Sequence, residues 1–135
     1  MTLSSPHAPL EAAFPDLNGV RILVVEDCWH VGSAVKSLVQ ACGARVAGPA
    51  ATTAAARRLI FEQIPDVALV DLSLRGGERA DALIDQLHDR GVRVIVITGY
   101  ATLAPIKAVA VLQKPIDEAQ LLACLRLVAA QKSPR

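Results

Sequence analysis

Acidic, hydroxyl and basic side chains follow the short apolar runs of this sequence. The runs cover residues 22–25, 67–70, 94–97 and 109–112, and after them come Glu26-Asp27, Asp71, Thr98 and Lys114-Pro115. Because the carboxyl ends of parallel strands meet at one edge of a sheet, these side chains are expected to converge. Three carboxylates in one cleft repel each other and favour a divalent cation, and open oxygen sites suit Mg²⁺. A nearby hydroxyl and ammonium can stabilise a phosphoryl group that is transferred to a carboxylate. The pattern therefore predicts a cation-assisted phosphoryl-transfer site.

Strands and amphipathic helices alternate along the chain. Predicted strands cover 20–26, 45–47, 66–71, 92–98 and 109–113, and predicted helices cover about 30–42, 53–63, 78–89 and the residues after Asp117. Gly48-Pro49 is expected to end the second strand. Continuous Val, Ile and Leu runs indicate strands that are buried on both faces, which implies a parallel sheet. The pattern predicts an α/β, doubly wound (flavodoxin-like) five-stranded sheet in the order 2-1-3-4-5, with helices on both faces.

The helices are predicted to pack through apolar positions at helical spacing. For the first helix these positions are Val31, Ala34, Val35, Leu38 and Cys42. Thr52 or Thr53 is expected to cap the second helix, and Asp117 the last one.

Length and composition limit the remaining possibilities. At 135 residues the chain is one domain, predicted over 20–130, with an N-terminal tail or cap at 1–19 and a C-terminal tail at 131–135. The net charge of +1 gives no basic field for nucleic acid, so no direct DNA binding is expected. No apolar run approaches the ~18 residues of a membrane span, and no signal peptide is recognised. Three cysteines without CxxC spacing favour reduced thiols and a cytoplasmic location.

Over about residues 20–130 the chain resembles the receiver domain of response regulators in two-component signal transduction. Glu26-Asp27 is similar to the acidic pair of that family, and Asp71, 44 residues after Asp27, is similar to its phosphoacceptor. Thr98 is similar to its switch Ser/Thr, and Lys114-Pro115 to its Lys-Pro pair. The resemblance is to a single-domain type with a shortened helix region between strands four and five.

The resemblance implies a function and a set of roles. Asp71 would accept a phosphoryl group from a sensor histidine kinase or a phosphotransfer protein, with Thr98 and Lys114 assisting. Mg²⁺ would be held by Asp27, Asp71 and the Ser73 backbone carbonyl, with Glu26 acting through water. The Lys114–Pro115 peptide bond would be cis. The chain would catalyse only its own phosphorylation and dephosphorylation and would signal to an unknown downstream protein, with homodimer formation left open.

The sequence also departs from the family pattern. Receivers usually carry an aromatic residue three positions before the lysine, where this chain has Val111. Tyr100 could replace it or could serve only in packing. Lys114 comes only 16 positions after Thr98, and 101–107 hold at most about two turns of helix. We therefore expect a signal-dependent change within 98–108, helped by the backbone freedom of Gly99.

Other functions remain open from the sequence. The chain could be a phosphorylation-independent pseudo-receiver that binds a partner, although the acidic site residues are all present. It could be the receiver segment of a hybrid histidine kinase. An aspartyl-phosphate phosphatase is a third class, but such enzymes usually begin with Asp-x-Asp on strand one, and this chain has Glu26-Asp27-Cys28.

Overall fold

A computed structural model describes residues 17–74, 77–99 and 106–131 of the chain. The strands are β1 (Arg21–Val25), β2 (Arg45–Ala50), β3 (Val67–Asp71), β4 (Arg93–Thr98) and β5 (Ala110–Gln113). The helices of the described part are α1 (Trp29–Ala41), α2 (Thr53–Glu62), α3 (Asp81–Asp89) and α4 (Glu118–Ala130). All strands are parallel, in the order β2-β1-β3-β4-β5, so the predicted fold class and strand order are confirmed.

The sheet separates two apolar cores. On one face α1 and α4 pack over Ile22, Val24 and Leu69, and on the other face α2 and α3 pack over Leu23 and Val70. Every residue of β3 is buried, as the continuous apolar run predicted for a strand that is covered on both sides. This central position fixes the place of Asp71 at the end of β3.

Strand β2 is longer than predicted. It continues through Gly48-Pro49 to Ala50, whose carbonyl accepts the Glu26 N–H at 2.9 Å, so the expectation that Gly48-Pro49 ends the strand is wrong. β2 lies at the edge of the sheet, where a proline can be accommodated because not every N–H needs a partner strand. The extension brings β2 alongside the first residue of the acidic pair.

Helix α1 buries most of the predicted face, since Val35 and Cys42 are buried and Val31 and Leu38 pack against the core, but Ala34 is not part of it. Gly32, Val35 and Val39 are buried, whereas Ala34 is exposed and Leu38 is half-buried. A β-carbon on Gly32 would lie 2.8 Å from the Pro49 ring, so the helix approaches β2 through its glycine. Glycine carries no apolar signal, which is why the spacing rule left Gly32 out of the buried face.

The other helices begin at residues that are fixed either by a local cap or by hydrogen bonds to another segment. Thr52 caps α2 by accepting the Ala55 N–H, and Asp117 caps α4 by accepting the N–H groups of Ala119 and Gln120, as predicted. Helix α3 begins at Asp81 and not at residue 78, because 78–80 pair with the loop that follows β3.

The predicted tails and the segment 101–105 lie largely outside the described residues, and the domain limits stay a prediction. None of the described helices is long and apolar enough to cross a membrane.

Candidate functional site

Three carboxylates meet at the carboxyl edge of the sheet. Glu26 and Asp27 directly follow β1, and Asp71 is the last residue of the neighbouring strand β3. One carboxylate oxygen from each lies within 4.8 Å of the others. Glu26 and Asp71 are only 5% and 3% exposed, and Asp27 is half-buried. The topology therefore gathers three carboxyl groups at one edge of the sheet, two of which, Glu26 and Asp71, are shielded from water.

Lys114 places an ammonium group against this cluster. Its Nζ lies 2.8 Å from Asp71 Oδ2 and 3.8 Å from Glu26 Oε1. The Lys114 N–H donates to the Thr98 carbonyl at 2.8 Å, which ties the residue to the end of β4. The Lys114–Pro115 peptide bond is cis, as predicted. One cation thus compensates part of the charge of the three carboxylates.

The second oxygen of Asp71 is held by the loop that follows it. The Ser73 N–H donates to Asp71 Oδ1 at 3.1 Å, so the carboxylate is bonded at both oxygens and fixed in orientation. Ser73, whose carbonyl was predicted as a cation ligand, is therefore adjacent to the carboxylate through its peptide group. The Cys28 N–H similarly donates to Glu26 Oε2 at 3.2 Å. Sequence reasoning missed this contact because a backbone donor leaves no side-chain signal.

The electrostatics of the cluster favour a proton or a cation. Burial raises the pKa of Glu26 to about 7, and the Asp71 carboxylate adds to the rise, while the Cys28 N–H and Lys114 oppose it. Burial acts against the charge of Lys114, but its hydrogen bond to Asp71 and the nearby carboxylates outweigh burial and raise its pKa. Lys114 is therefore charged at neutral pH, and Glu26 is easily protonated unless a cation is bound.

Of Thr98 and Tyr100, which were expected to take part in a signal-dependent change, Thr98 lies among the described residues. Thr98 is the last residue of β4, 1% exposed, beside the strand that carries Asp71. Tyr100 lies outside the described residues, so its suggested role stays a prediction. Val111, at the position where receivers usually carry an aromatic residue, is 43% exposed on β5. No aromatic ring of the described residues occupies that strand.

The donor set fits Mg²⁺. Mg²⁺ prefers hard oxygen ligands and is commonly held by one or two carboxylates together with water and substrate oxygens. The three carboxylates supply such ligands from one side, and the buried position of Glu26 and Asp71 leaves their charge poorly compensated by solvent. When bound, Mg²⁺ would neutralise this charge and that of a phosphoryl group.

The chain is similar to solved receiver domains. A CheY-like receiver domain protein from Methanospirillum hungatei is 25% identical, with a TM-score of 0.77, and the match covers 84% of this chain and 96% of that one. The receiver domain of PhyR from Erythrobacter litoralis is 23% identical, with a TM-score of 0.77 and coverage of 87% and 96%. PhyR from Brucella abortus is 22% identical over 91% of this chain and 53% of its own, again with a TM-score of 0.77.

No family model and no curated protein sequence matches the chain. The structural neighbours nevertheless agree in architecture with the strand order and helix placement described above. The predicted resemblance is confirmed, and the chain has the fold of the response regulator receiver domains of two-component signalling.

Proposed function

We propose that the chain is a phosphoacceptor receiver domain and that Asp71 is the residue that takes the phosphoryl group. The observation that carries this proposal is the convergence of the Glu26, Asp27 and Asp71 carboxylates, with the Lys114 ammonium 2.8 Å from Asp71. The donor would be a phosphohistidine of a sensor kinase or phosphotransfer protein. The downstream target would be a protein. The candidate site is acidic and would repel the phosphate groups of a nucleic acid, so a nucleic-acid target is unfavourable.

The proposed reaction is a single displacement at phosphorus. A carboxylate oxygen of Asp71 forms a bond to phosphorus while the phosphorus–nitrogen bond of the phosphohistidine breaks, and the imidazole leaves as the electron pair returns to its nitrogen. The product is an acyl phosphate on Asp71. Water can later attack the same phosphorus, which breaks its bond to the Asp71 oxygen, restores the carboxylate and releases inorganic phosphate. Both steps change the modification of the chain itself.

The residues of the site have separate tasks in this proposal. Lys114 would move its hydrogen bond from Asp71 to an oxygen of the phosphoryl group, where negative charge is concentrated. The Ser73 N–H would keep the Asp71 carboxylate oriented. Asp27, Asp71 and the Ser73 carbonyl would hold Mg²⁺, with Glu26 acting through water. Thr98 would donate its hydroxyl to the phosphoryl group.

Acetyl phosphate tests this proposal without knowledge of the kinase. The chain incubated with acetyl phosphate and Mg²⁺ should gain about 80 Da, the mass of one phosphoryl group, in an intact mass spectrum. The Asp71→Asn variant should gain nothing, because an amide oxygen is a poor nucleophile. Asp85→Asn, the same chemical change on the exposed surface of α3, should behave as the wild type.

The outcomes separate the functional classes. A stable adduct that depends on Asp71 supports a receiver, rapid turnover of acetyl phosphate indicates a phosphatase, and no adduct indicates a pseudo-receiver that binds without phosphate. Uptake by Asp71→Asn at the wild-type rate would show that another residue is the acceptor.

A further inference from the structure

The loop that follows β3 is folded back on itself by backbone hydrogen bonds. Ser73 and Arg79 form an antiparallel bridge, and the Leu74 N–H donates to the Glu78 carbonyl at 2.8 Å. The Ala80 N–H donates to the Leu72 carbonyl at 3.1 Å. We call the paired limbs 72–74 and 78–80 the β3–α3 hairpin. One limb carries the Ser73 peptide group, which contacts Asp71, so the position of the hairpin affects the site.

The side chain of Glu78 hydrogen-bonds the second limb of this hairpin, 78–80, to helix α2. Its Oε1 accepts the Thr53 N–H at 3.2 Å, and its Oε2 accepts the Thr53 hydroxyl at 2.8 Å. Thr53 is the first residue of α2 and is 7% exposed, so it offers a rigid attachment. These hydrogen bonds lower the pKa of Glu78, which therefore accepts them as a carboxylate at neutral pH.

We propose that Glu78 is a positioning residue that holds the Ser73 peptide group in place for phosphoryl transfer at Asp71. This inference rests on the proposed function. The Ser73 N–H orients Asp71, and the Ser73 carbonyl is the proposed cation ligand, so a displaced peptide group would weaken both contacts at once. Small errors in the position of reacting groups reduce rates strongly.

The local contacts argue against a role for Glu78 only as a helix cap. Thr52 already supplies the local cap of α2 through its bond to the Ala55 N–H. Arg79, the next residue of the limb, pairs with Asp81, the first residue of α3 two positions on, so this contact is local and does not reach α2. Among the described contacts, the hydrogen bonds of the Glu78 carboxylate therefore provide the side-chain connection between this limb and α2.

Amide hydrogen exchange tests the positioning directly. In Glu78→Ala the amides of Ser73, Leu74 and Ala80 should exchange about tenfold faster, because their local opening no longer breaks the contact with Thr53. Amides of β3 should be unchanged. Glu78→Gln keeps one side-chain acceptor and should restore part of the protection. Asp85→Asn removes a carboxylate charge from the exposed surface of α3, away from the hairpin, and serves as the control for Glu78→Gln.

Phosphorylation by acetyl phosphate gives the second measurement. Glu78→Ala should take up phosphate about tenfold more slowly at limiting Mg²⁺, and a higher Mg²⁺ concentration should recover much of the rate. Thr53→Val, which removes only the hydroxyl, should slow uptake in the wild-type background and have little further effect in Glu78→Ala.

The two proposals fail in different ways. If the wild type takes no phosphate, the proposed function is wrong, and hydrogen exchange alone decides whether Glu78 positions Ser73. If the wild type is phosphorylated but Glu78→Ala matches it in exchange and in Mg²⁺ dependence, the positioning role is overturned and the proposed function stands.

Discussion

At the scale of single residues, the site is built from charged groups whose burial is unfavourable unless an opposite charge or a hydrogen bond compensates it. Glu26 is 5% exposed and has the carboxylate of Asp71 as a neighbour, with Lys114 as the nearby ammonium. An apolar or neutral side chain at position 26 would be easier to bury. The presence of a carboxylate at this buried position is explained if its charge attracts a cation.

The charge of Glu26 should make stability depend on pH. Its folded-state pKa of about 7 lies above the ordinary value of 4.5, so between these pH values the folded chain binds more protons than the unfolded chain. The free energy of unfolding should therefore fall as pH rises through this window. Glu26→Gln removes this contribution and should be more stable than the wild type at pH 8, by on the order of 2 kcal/mol. Near pH 5 the two proteins should be similar.

Urea unfolding in EDTA at both pH values measures this difference. Glu62→Gln, at an exposed position near the end of α2, is the control and should follow the wild type. Adding Mg²⁺ at pH 8 should narrow the gap between Glu26→Gln and the wild type, because a bound cation offsets the carboxylate charge. A stability difference that is the same at pH 5 and pH 8 would contradict the raised pKa.

At the scale of elements, β1, β3, β4 and β5 were predictable, whereas the end of β2 and several helix details were not. Asp71, Thr98 and Lys114 follow apolar runs that have only one plausible structure, so their meeting at one edge follows from the parallel order. The face of α1 depends on the contact between Gly32 and Pro49, which lie on different elements. The contact between Glu78 and Thr53 spans 25 residues and has no periodic signal. Contacts of this kind are decided by tertiary packing.

Strand β2 provides a prediction at this scale. Gly48 has φ +98°, and a β-carbon there would lie 2.5 Å from the Val24 carbonyl oxygen and 2.8 Å from the Ala50 nitrogen. Gly48→Ala should therefore destabilise the chain by on the order of 3 kcal/mol, since both the backbone conformation and the strand spacing must change. Chemical denaturation measures this loss.

Gly99 offers the matched control for that substitution. Among the residues that the structure describes, a β-carbon on Gly99 would meet no atom within 4 Å, and the φ of Gly99 is not in the left-handed region. Gly99→Ala should leave the free energy of unfolding nearly unchanged. Equal stability of the two variants would mean that β2 does not need the conformation described for Gly48.

At the scale of the whole molecule, the face of the sheet covered by α2 and α3 is unevenly protected. Leu83, Ile84 and Leu87 of α3 are fully buried, and Glu78 joins the neighbouring loop to α2. At β5 the same face is less covered, because Val111 of β5 and Val109 just before it are 43% and 50% exposed, although Val96, the partner of Val111 on β4, is buried. The firmly packed side should resist a change at the site, whereas the open side near β5 can respond to it.

Phosphorylation of Asp71 should therefore change the conformation of residues along β4 and β5. Lys114 contacts Asp71 through its ammonium and Thr98 through its N–H, so a lysine that turns toward a phosphoryl group pulls on the end of β4. With beryllofluoride and Mg²⁺ as a mimic of phosphorylated Asp71, the largest amide shifts should fall on Thr98, Gly99, 106–108 and β5. Asp71→Asn should show none of these shifts. Large shifts confined to α2 and α3, with Gly99 and 106–108 unchanged, would show that the signal leaves through the opposite side of the site.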